Sequence, residues 1–259
     1  MHNKRVSTTI SVVILSLIAI AFLFPFAWMV ATSLKPTTEV FSLSPTGSRI
    51  AWDNYPSALN SIPFGRVVLN SFIVSLAGAA LVVVVSVLSA YAFARLRFKG
   101  RDHLFMLFLG TLVLPQEVLV IPLYIGMQRM GLVNSYFALI VPFAFGAFGA
   151  FLIRQFLMSL PLEFEEAARI DGCSDWKILT KILLPLLKAP ITVVGVFAFI
   201  DYWSAFLWPL IVVNDSSLAT IPLGLQMFSG ERGTDWGPLM AAVTMTTIPS
   251  ILLVVFLQK

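Results

Sequence analysis

Six long apolar stretches, separated by polar connections, make up most of the chain. They cover residues 9–34, 67–94, 104–127, 133–157, 190–213 and 236–257. Each reaches the roughly 20 apolar residues that a helix needs to cross a bilayer. Because backbone groups in lipid must be paired within the segment, we predict a helix in every stretch. The chain is therefore expected to be an all-α, polytopic membrane protein in which residues 1–259 form one transmembrane domain.

The composition supports a membrane protein. Hydrophobic residues make up 58% of the chain and charged residues only 12%, whereas a soluble domain has about 45–50% and about 25%. The net charge of +4 does not predict nucleic-acid binding, since the cations lie between the apolar stretches and form no basic stripe. With one cysteine, Cys173, and two distant histidines, we expect no disulfide, no metal site and no catalytic cluster in this chain.

The cations also predict the topology. The first stretch follows Lys4 and Arg5, as in a signal peptide, but it is long enough to span and lacks a small-residue cleavage site. We interpret it as a retained first helix. Placing the amino terminus inside puts 12 of the 17 Lys and Arg residues on the cytoplasmic side and 5 outside. This bias places both termini in the cytoplasm.

The cytoplasmic connection 159–189 is too rich in charge for a simple hairpin. Pro161 suits the first turn of a helix, and Gly172 can end that helix in a left-handed conformation. Ser174 or Asp175 can cap a second helix over residues 176–184, which we expect to stop at Pro185. The pattern predicts two short helices outside the membrane. The alternative is a surface hairpin whose charges are merely solvated.

This connection carries a specific motif. Glu166-Ala167-Ala168 is followed by Asp171-Gly172, nine residues, and then Ile182-x-Leu184-Pro185. The spacing resembles the EAA loop of binding-protein-dependent ABC importer permeases. Further residues are similar to the six-span subunit of the carbohydrate branch, the maltose and glycerol-3-phosphate type: Asn70-Ser71, Pro115, Ile121-Pro122-Leu123-Tyr124, and Trp203 with Phe206-Leu207-Trp208-Pro209.

The resemblance implies a type I importer fold and an ATPase-coupling role for the loop. The first helix would dock in a groove of the ATPase, with Glu166 pairing with a basic residue, Ala167 and Ala168 allowing close approach, and Gly172 making the bend. The implied coupling residues are Glu165, Glu166, Ala167, Ala168, Asp171, Gly172, Ile182, Leu184 and Pro185. The implied partners are a homologous second permease, two ATPase subunits that hold ATP and Mg, an extracytoplasmic solute-binding protein and membrane lipid. This chain needs no cofactor.

Three departures from the family pattern are visible. Ser204 and Ala205 stand where the family commonly has an amide and often an acid. Cys173 replaces the usual alanine, and we expect it to have a packing role. The sequence ends at Gln258-Lys259, where relatives continue with a basic tail, so we expect either a truncated chain or a missing ATPase contact.

Polar residues within the spans are candidates for the substrate path. A charge at the bilayer centre costs about 2.5–3.5 kcal/mol on insertion scales, so such groups normally face a cavity or a partner. The candidates are Gln116, Glu117, Asp201, Tyr202, Trp203 and Ser204, in which carboxylates, an amide and aromatic rings could bind a sugar. In the alternative interpretation, each carboxyl is protonated or bonded to a neighbouring helix.

The outer loop 214–235 has a polar tip at Ser229, Gly230, Glu231 and Arg232. The resemblance implies that this tip contacts the binding protein and helps to expel its sugar. The alternative is an ordinary polar turn.

These observations predict an importer permease subunit in the bacterial inner membrane, which would carry a di- or oligosaccharide or a related polyol. Glycerol-3-phosphate or a phosphodiester is the alternative substrate. A secondary transporter or an intramembrane enzyme would be a different class. The chain has no Gly-rich Lys-Ser/Thr loop, so ATP hydrolysis must belong to another chain.

Overall fold

In the computed structural model the chain is almost entirely helical, and residues 2–230 and 233–257 are described. The helices are α1 (His2–Ser33), α2 (Asn54–Ser61), α3 (Phe64–Arg95), α4 (Arg101–Gly110), α5 (Gln116–Arg129), α6 (Tyr136–Ile140), α7 (Ala147–Ser159), α8 (Glu163–Ile170), α9 (Asp175–Lys177), α10 (Leu184–Leu186), α11 (Lys188–Ser204), α12 (Leu207–Val212), α13 (Ile221–Gln226) and α14 (Trp236–Leu257). Short 3₁₀ turns lie at Thr37–Glu39, Thr111–Val113 and Ser216–Leu218. The prediction of an all-α membrane protein is confirmed.

Two helices are long and apolar enough to cross a membrane without interruption. They run over Ser11–Ser33 and Phe64–Arg95, in agreement with the first two predicted spans. The last predicted span corresponds to α14, whose apolar part Trp236–Leu252 is shorter.

The prediction of one unbroken helix is wrong for the three middle spans. Helices α4 and α5 are separated at Pro115 and bent by 102°. Residues 141–146 interrupt the fourth span between α6 and α7, and Ala205 and Phe206 interrupt the fifth between α11 and α12. By length and composition, three helix pairs are each apolar enough to form one bent span: Arg101–Val113 with Gln116–Arg129, Ala147–Ser159 with Glu163–Ile170, and Asp175–Leu186 with Lys188–Ser204. With the two uninterrupted helices they give up to five spans, so the number six stays a prediction.

The chain divides into two compact units, of which the first comprises residues 1–65 and 224–253. Its core packs α2 against α14 through Ala58, Ala241 and Ala242, all fully buried, with Phe228 beside them. The buried Asn54 side chain donates to the carbonyls of Ser33 and Lys35 and so caps the end of α1.

The second unit contains residues 66–223 and holds α3 to α12. Its main core joins α3, α7 and α11 with the residues that follow α8. Its fully buried members are Ala90, Ile153, Leu157, Ile178 and Leu187. Helices in membranes approach closely through small residues. Here Gly78 on α3 faces the Tyr202 ring of α11, and Gly149 on α7 faces Ser86 of α3.

The close packing at Gly78 leaves no room for a side chain. A Cβ added at Gly78 would lie 2.6 Å from the Tyr202 ring, which is held by a hydrogen bond of its hydroxyl to the Ile140 carbonyl. Gly78→Ala is therefore expected to lower the free energy of unfolding by about 1–3 kcal/mol through overpacking. In the control Gly126→Ala, where nothing lies within 4 Å of the added Cβ, the change should stabilise α5 by up to about 1 kcal/mol. Thermal unfolding in detergent compares the two, and equal effects would contradict the packing.

Candidate transport cavity and docking segment

The first helix of the segment 159–189 ends as the sequence predicts. Gly172 has a φ of 77°, in the left-handed region. Its N–H donates to the carbonyl of Arg169, and the N–H of Cys173 donates to that of Ala168. These two bonds form a Schellman motif, which satisfies carbonyls at the end of α8 and turns the chain sharply. Cys173 packs against the core beside this turn, as expected for a packing role.

The second helix begins as predicted and ends differently. The Ser174 hydroxyl accepts from the N–H of Lys177 and caps it. The helix does not stop at Pro185, because it continues to Leu186 and bends by 81° into α11. Residues Ile178–Leu183 are wound as a π-helix just before the proline. A proline ring crowds the carbonyl four residues earlier, and a locally wider helix accommodates that crowding.

The motif residues of α8 separate into an inner and an outer face. Glu166, Ala167 and Asp171 are exposed, whereas Glu165 and Ala168 are buried against the chain's own core. The close approach that Ala168 allows is therefore to this core. Glu165 also faces inward and is not available as a contact residue, because its carboxylate pairs with a cation inside the chain.

The partner of Glu165 is Arg95, the last residue of α3, which sequence reasoning missed. The Arg95 Nε donates to Glu165 Oε1 at 2.5 Å, and both side chains are only 6% exposed. Arg95 Nη2 also donates to the carbonyls of Leu157 and Leu160 at 2.8 and 3.2 Å, beyond the end of α7. One guanidinium thus ties α8 to the ends of α3 and α7.

Large apolar side chains are exposed on residues 159–189, which we call the docking segment after its predicted role, although these residues lie outside the apolar stretches. Phe164 is 50% exposed, Trp176 65% and Ile170 87%. Exposed apolar side chains beside charged ones are typical of a protein-binding surface. The sequence signal for this surface was an apolar residue on each side of the Glu-Ala-Ala motif.

The three helix breaks of the second unit meet at one cavity of about 420 Å³. Its wall includes Gln116 and Glu117 just after the first break, Gly146 and Ala147 at the second, and residues 204–207 at the third. Non-helical backbone at membrane depth is tolerated where it is buried in protein or lines a water-filled cavity. The three breaks therefore lie where the cavity can accommodate them.

Five of the six predicted path residues line the cavity. They are Gln116, Glu117, Asp201, Tyr202 and Ser204. Trp203 does not line it, because its ring packs on Phe72 at 4.9 Å and on Phe199 at 5.5 Å between centroids. The predicted stacking role of Trp203 is wrong for this arrangement. Tyr202 lines the wall but is 8% exposed, and its hydroxyl is already bonded to the Ile140 carbonyl.

The charge of the cavity has one sign. Glu117 and Asp201 are its ionisable acids, and no Lys, Arg or His occurs among the described residues that line it. Phe143 and Trp208 supply an aromatic corner, with ring centroids 5.4 Å apart. The Trp208 indole N–H donates to the Ala138 carbonyl at 2.8 Å, which orients the ring in this wall.

In the first unit, residues Ser229–Gly230 and Gly233–Thr234 form a small hairpin. Ser229 pairs with Thr234 and Gly230 with Gly233, and the two hydroxyls lie 3.0 Å apart. The predicted contact residues Ser229 and Gly230 are thus on a strand and exposed. Glu231 and Arg232 lie outside the described residues.

Broken spans around a cavity that carries two carboxylates, with a helix pair tied to the spans by a buried ion pair, are typical of a membrane transport subunit. Residues 82–259 match the family described as binding-protein-dependent transport system inner membrane component, and the chain belongs to this family. It is an importer permease subunit and a transport component, so the enzyme and secondary-transporter interpretations are set aside. Its family works with a separate solute-binding protein.

Similar proteins cover nearly the whole chain. The sn-glycerol-3-phosphate transport system permease protein UgpE of Pectobacterium atrosepticum is 37% identical over 100% of this chain and 95% of its own length. The lactose transport system permease protein LacG of Rhizobium radiobacter is 30% identical over 99% and 94%. A crystal structure of a bacterial ABC transporter involved in the import of the acidic polysaccharide alginate aligns with a TM-score of 0.86 and 22% identity, covering 100% of this chain and 98% of that one. The fold is therefore that of an importer permease.

Proposed function

We propose that this chain is one of two membrane-spanning subunits of a bacterial inner-membrane importer for an uncharged carbohydrate or polyol. The observation that carries the proposal is the cavity at the helix breaks. It combines two carboxylates, an amide and a hydroxyl with an aromatic corner. Carboxylates accept hydrogen bonds from sugar hydroxyls, an amide both donates and accepts them, and aromatic rings cover the apolar face of a sugar.

The charge of the cavity disfavours an anion. A phosphate group carries about −1.5 to −2 charges at neutral pH, and like charges brought together at a site cost several kcal/mol. Glu117 and Asp201 would both oppose it, with no cation in the described lining to offset them. Glycerol-3-phosphate is the second candidate because of the similarity to UgpE. It would require cations contributed by the second permease.

ATP hydrolysis, with its Mg ion, would take place in a pair of partner ATPase subunits. The docking helix α8 would lie in a groove of one of these ATPase subunits. Both termini of the chain would lie on the same, cytoplasmic side of the membrane. The binding protein would dock outside, near the hairpin at Ser229–Gly230. ATP binding can drive the outward-open state only if the ATPase dimer binds that state more tightly than the inward-open one.

The substrate class can be tested by transport into proteoliposomes that contain the assembled complex. Asp201→Asn and Glu117→Gln, tested singly, should each lower uptake of a neutral disaccharide such as lactose about 10- to 100-fold, since a lost charged hydrogen bond costs about 1.5–3 kcal/mol. Asp53→Asn is the control, because this carboxylate is exposed and outside the cavity. Uptake of glycerol-3-phosphate and no neutral sugar, unaffected by either variant, would contradict the proposal.

A further inference from the structure

The turn between α3 and α4 carries a basic pocket that transport does not explain. Residues 97–103 surround an open pocket of about 620 Å³. Three of these seven residues are Arg97, Lys99 and Arg101, and His103 closes the series. The positive-inside rule accounts for cations on this side of the membrane, and the tight turn after α3 brings them to one open depression.

The charges of this pocket are only partly neutralised. Its single carboxylate, Asp102, lies 3.1 Å from Arg101 Nε and 3.8 Å from Arg154 Nη2. In the described part of the chain, Arg97 and Lys99 pair with no carboxylate, and both are exposed. Two cations are therefore available to an external anion.

Apolar side chains adjoin the cations directly. Phe98 is 42% exposed, Leu104 51%, and Met106 and Leu107 72% each. Behind them, the Arg154 guanidinium lies over the Phe105 ring, 4.1 Å from its centroid, and its Nε donates to the Phe93 carbonyl. A soluble anion would need only the cations, whereas a phospholipid fits both the charged pocket and the apolar wall.

We propose that Arg97 and Lys99 bind the phosphate headgroup of an anionic phospholipid whose acyl chains lie along the exposed apolar face of α4. Basic clusters directly beside a transmembrane helix attract anionic lipid by about 1 kcal/mol per cation. The lipid would hold the α3–α4 turn, two residues beyond Arg95, at the membrane surface. This site depends only on the membrane location and is independent of the transported substrate.

The test uses the full chain in phosphatidylcholine nanodiscs that contain a minor fraction of phosphatidylglycerol, with retained lipid measured by native mass spectrometry. The wild type should retain phosphatidylglycerol in preference to phosphatidylcholine. Arg97→Gln with Lys99→Gln should lower this preference roughly 10- to 30-fold, the effect expected for two cations. Lys177→Gln with Lys181→Gln removes the same charge from the exposed docking segment and should leave the preference unchanged.

Three results would overturn the proposal. No preference in the wild type would mean that the pocket is merely solvated. Equal losses in both double variants would mean that diffuse charge, and not this pocket, attracts the lipid. Displacement of the lipid by millimolar inorganic phosphate or glycerol phosphate, the soluble headgroup, would assign the pocket to a soluble anion.

Discussion

Arg95→Ala is expected to lower the free energy of unfolding by about 3–5 kcal/mol, because it leaves the buried Glu165 carboxylate without its partner. The carbonyls of Leu157 and Leu160 lose a donor in the same variant. Since Arg95 ties α8 to the ends of α3 and α7, the assembled importer should also lose coupling between ATP hydrolysis and transport. Denaturant unfolding in detergent micelles measures the first effect, and uptake per ATP hydrolysed measures the second.

The control for this prediction is the exposed ion pair between Arg169 and Asp175 on the docking segment. Its side chains are 53% and 58% exposed, and its N–O distance is 2.9 Å. Exposed pairs contribute about 0–1 kcal/mol, so Arg169→Ala should have a small effect on unfolding. If Arg95→Ala is no more destabilising than Arg169→Ala, the buried pair does not anchor α8.

Asn70→Leu is expected to destabilise the protein by about 3 kcal/mol, since each buried polar group left unpaired costs about 1–3 kcal/mol. Asn70 is 1% exposed, and its Nδ2 donates to the carbonyls of Ser217 and Ala219 at 2.9 Å. Its Oδ1 accepts from the Tyr136 hydroxyl at 2.6 Å. All three partners lose their bond in the variant, which should also loosen residues 215–221.

The exposed Asn60 offers a matched control on α2. Surface substitutions usually change stability by about 0.5 kcal/mol or less, so Asn60→Leu should unfold close to wild type. Hydrogen exchange of the amides of Leu218 and Ala219 would test the local effect. Unchanged protection of these amides in Asn70→Leu would mean that Asn70 does not hold this loop.

The helical class and the first two spans could be predicted because lipid leaves the backbone few alternatives. The positions of the helix breaks could not be predicted, since a proline does not by itself determine where a helix breaks. Pro25, Pro122 and Pro249 lie inside unbroken helices of this chain, whereas Pro115 marks a bend of 102°. What differs is the surroundings, because the break at Pro115 lies beside a cavity that can accommodate unpaired backbone.

In the docking segment, features that depend on neighbouring residues could be predicted, whereas contacts between residues distant in sequence could not. Gly172 and Ser174 could be predicted because a left-handed turn and a helix cap each depend on a few neighbouring residues. The Arg95–Glu165 pair joins residues 70 positions apart, and no local pattern indicates it. Without the fold, Glu165 and Glu166 are alike, although the structure buries one and exposes the other.

The cavity was predictable as a set of residue types but not as a surface. Asp201 and Ser204 are three residues apart and so share a face of α11. Trp203 is turned away from Ser204 by one residue of helix rotation, and its ring packs on Phe72 and Phe199. Helical geometry could have shown that Trp203 lies on a different face of α11 from Asp201 and Ser204. That Glu117 and Asp201 line the same cavity could not be predicted, because it depends on the three helix breaks.

The most direct test of the account is the ATPase activity of the reconstituted complex, with and without the sugar-loaded binding protein, for wild type, Glu166→Ala and Glu163→Ala. Both glutamates are exposed on α8, but only Glu166 belongs to the motif. We expect loaded binding protein to stimulate the wild type and Glu163→Ala, and we expect Glu166→Ala to lose this stimulation. Equal stimulation of all three proteins would contradict coupling through Glu166 and the docking face of α8.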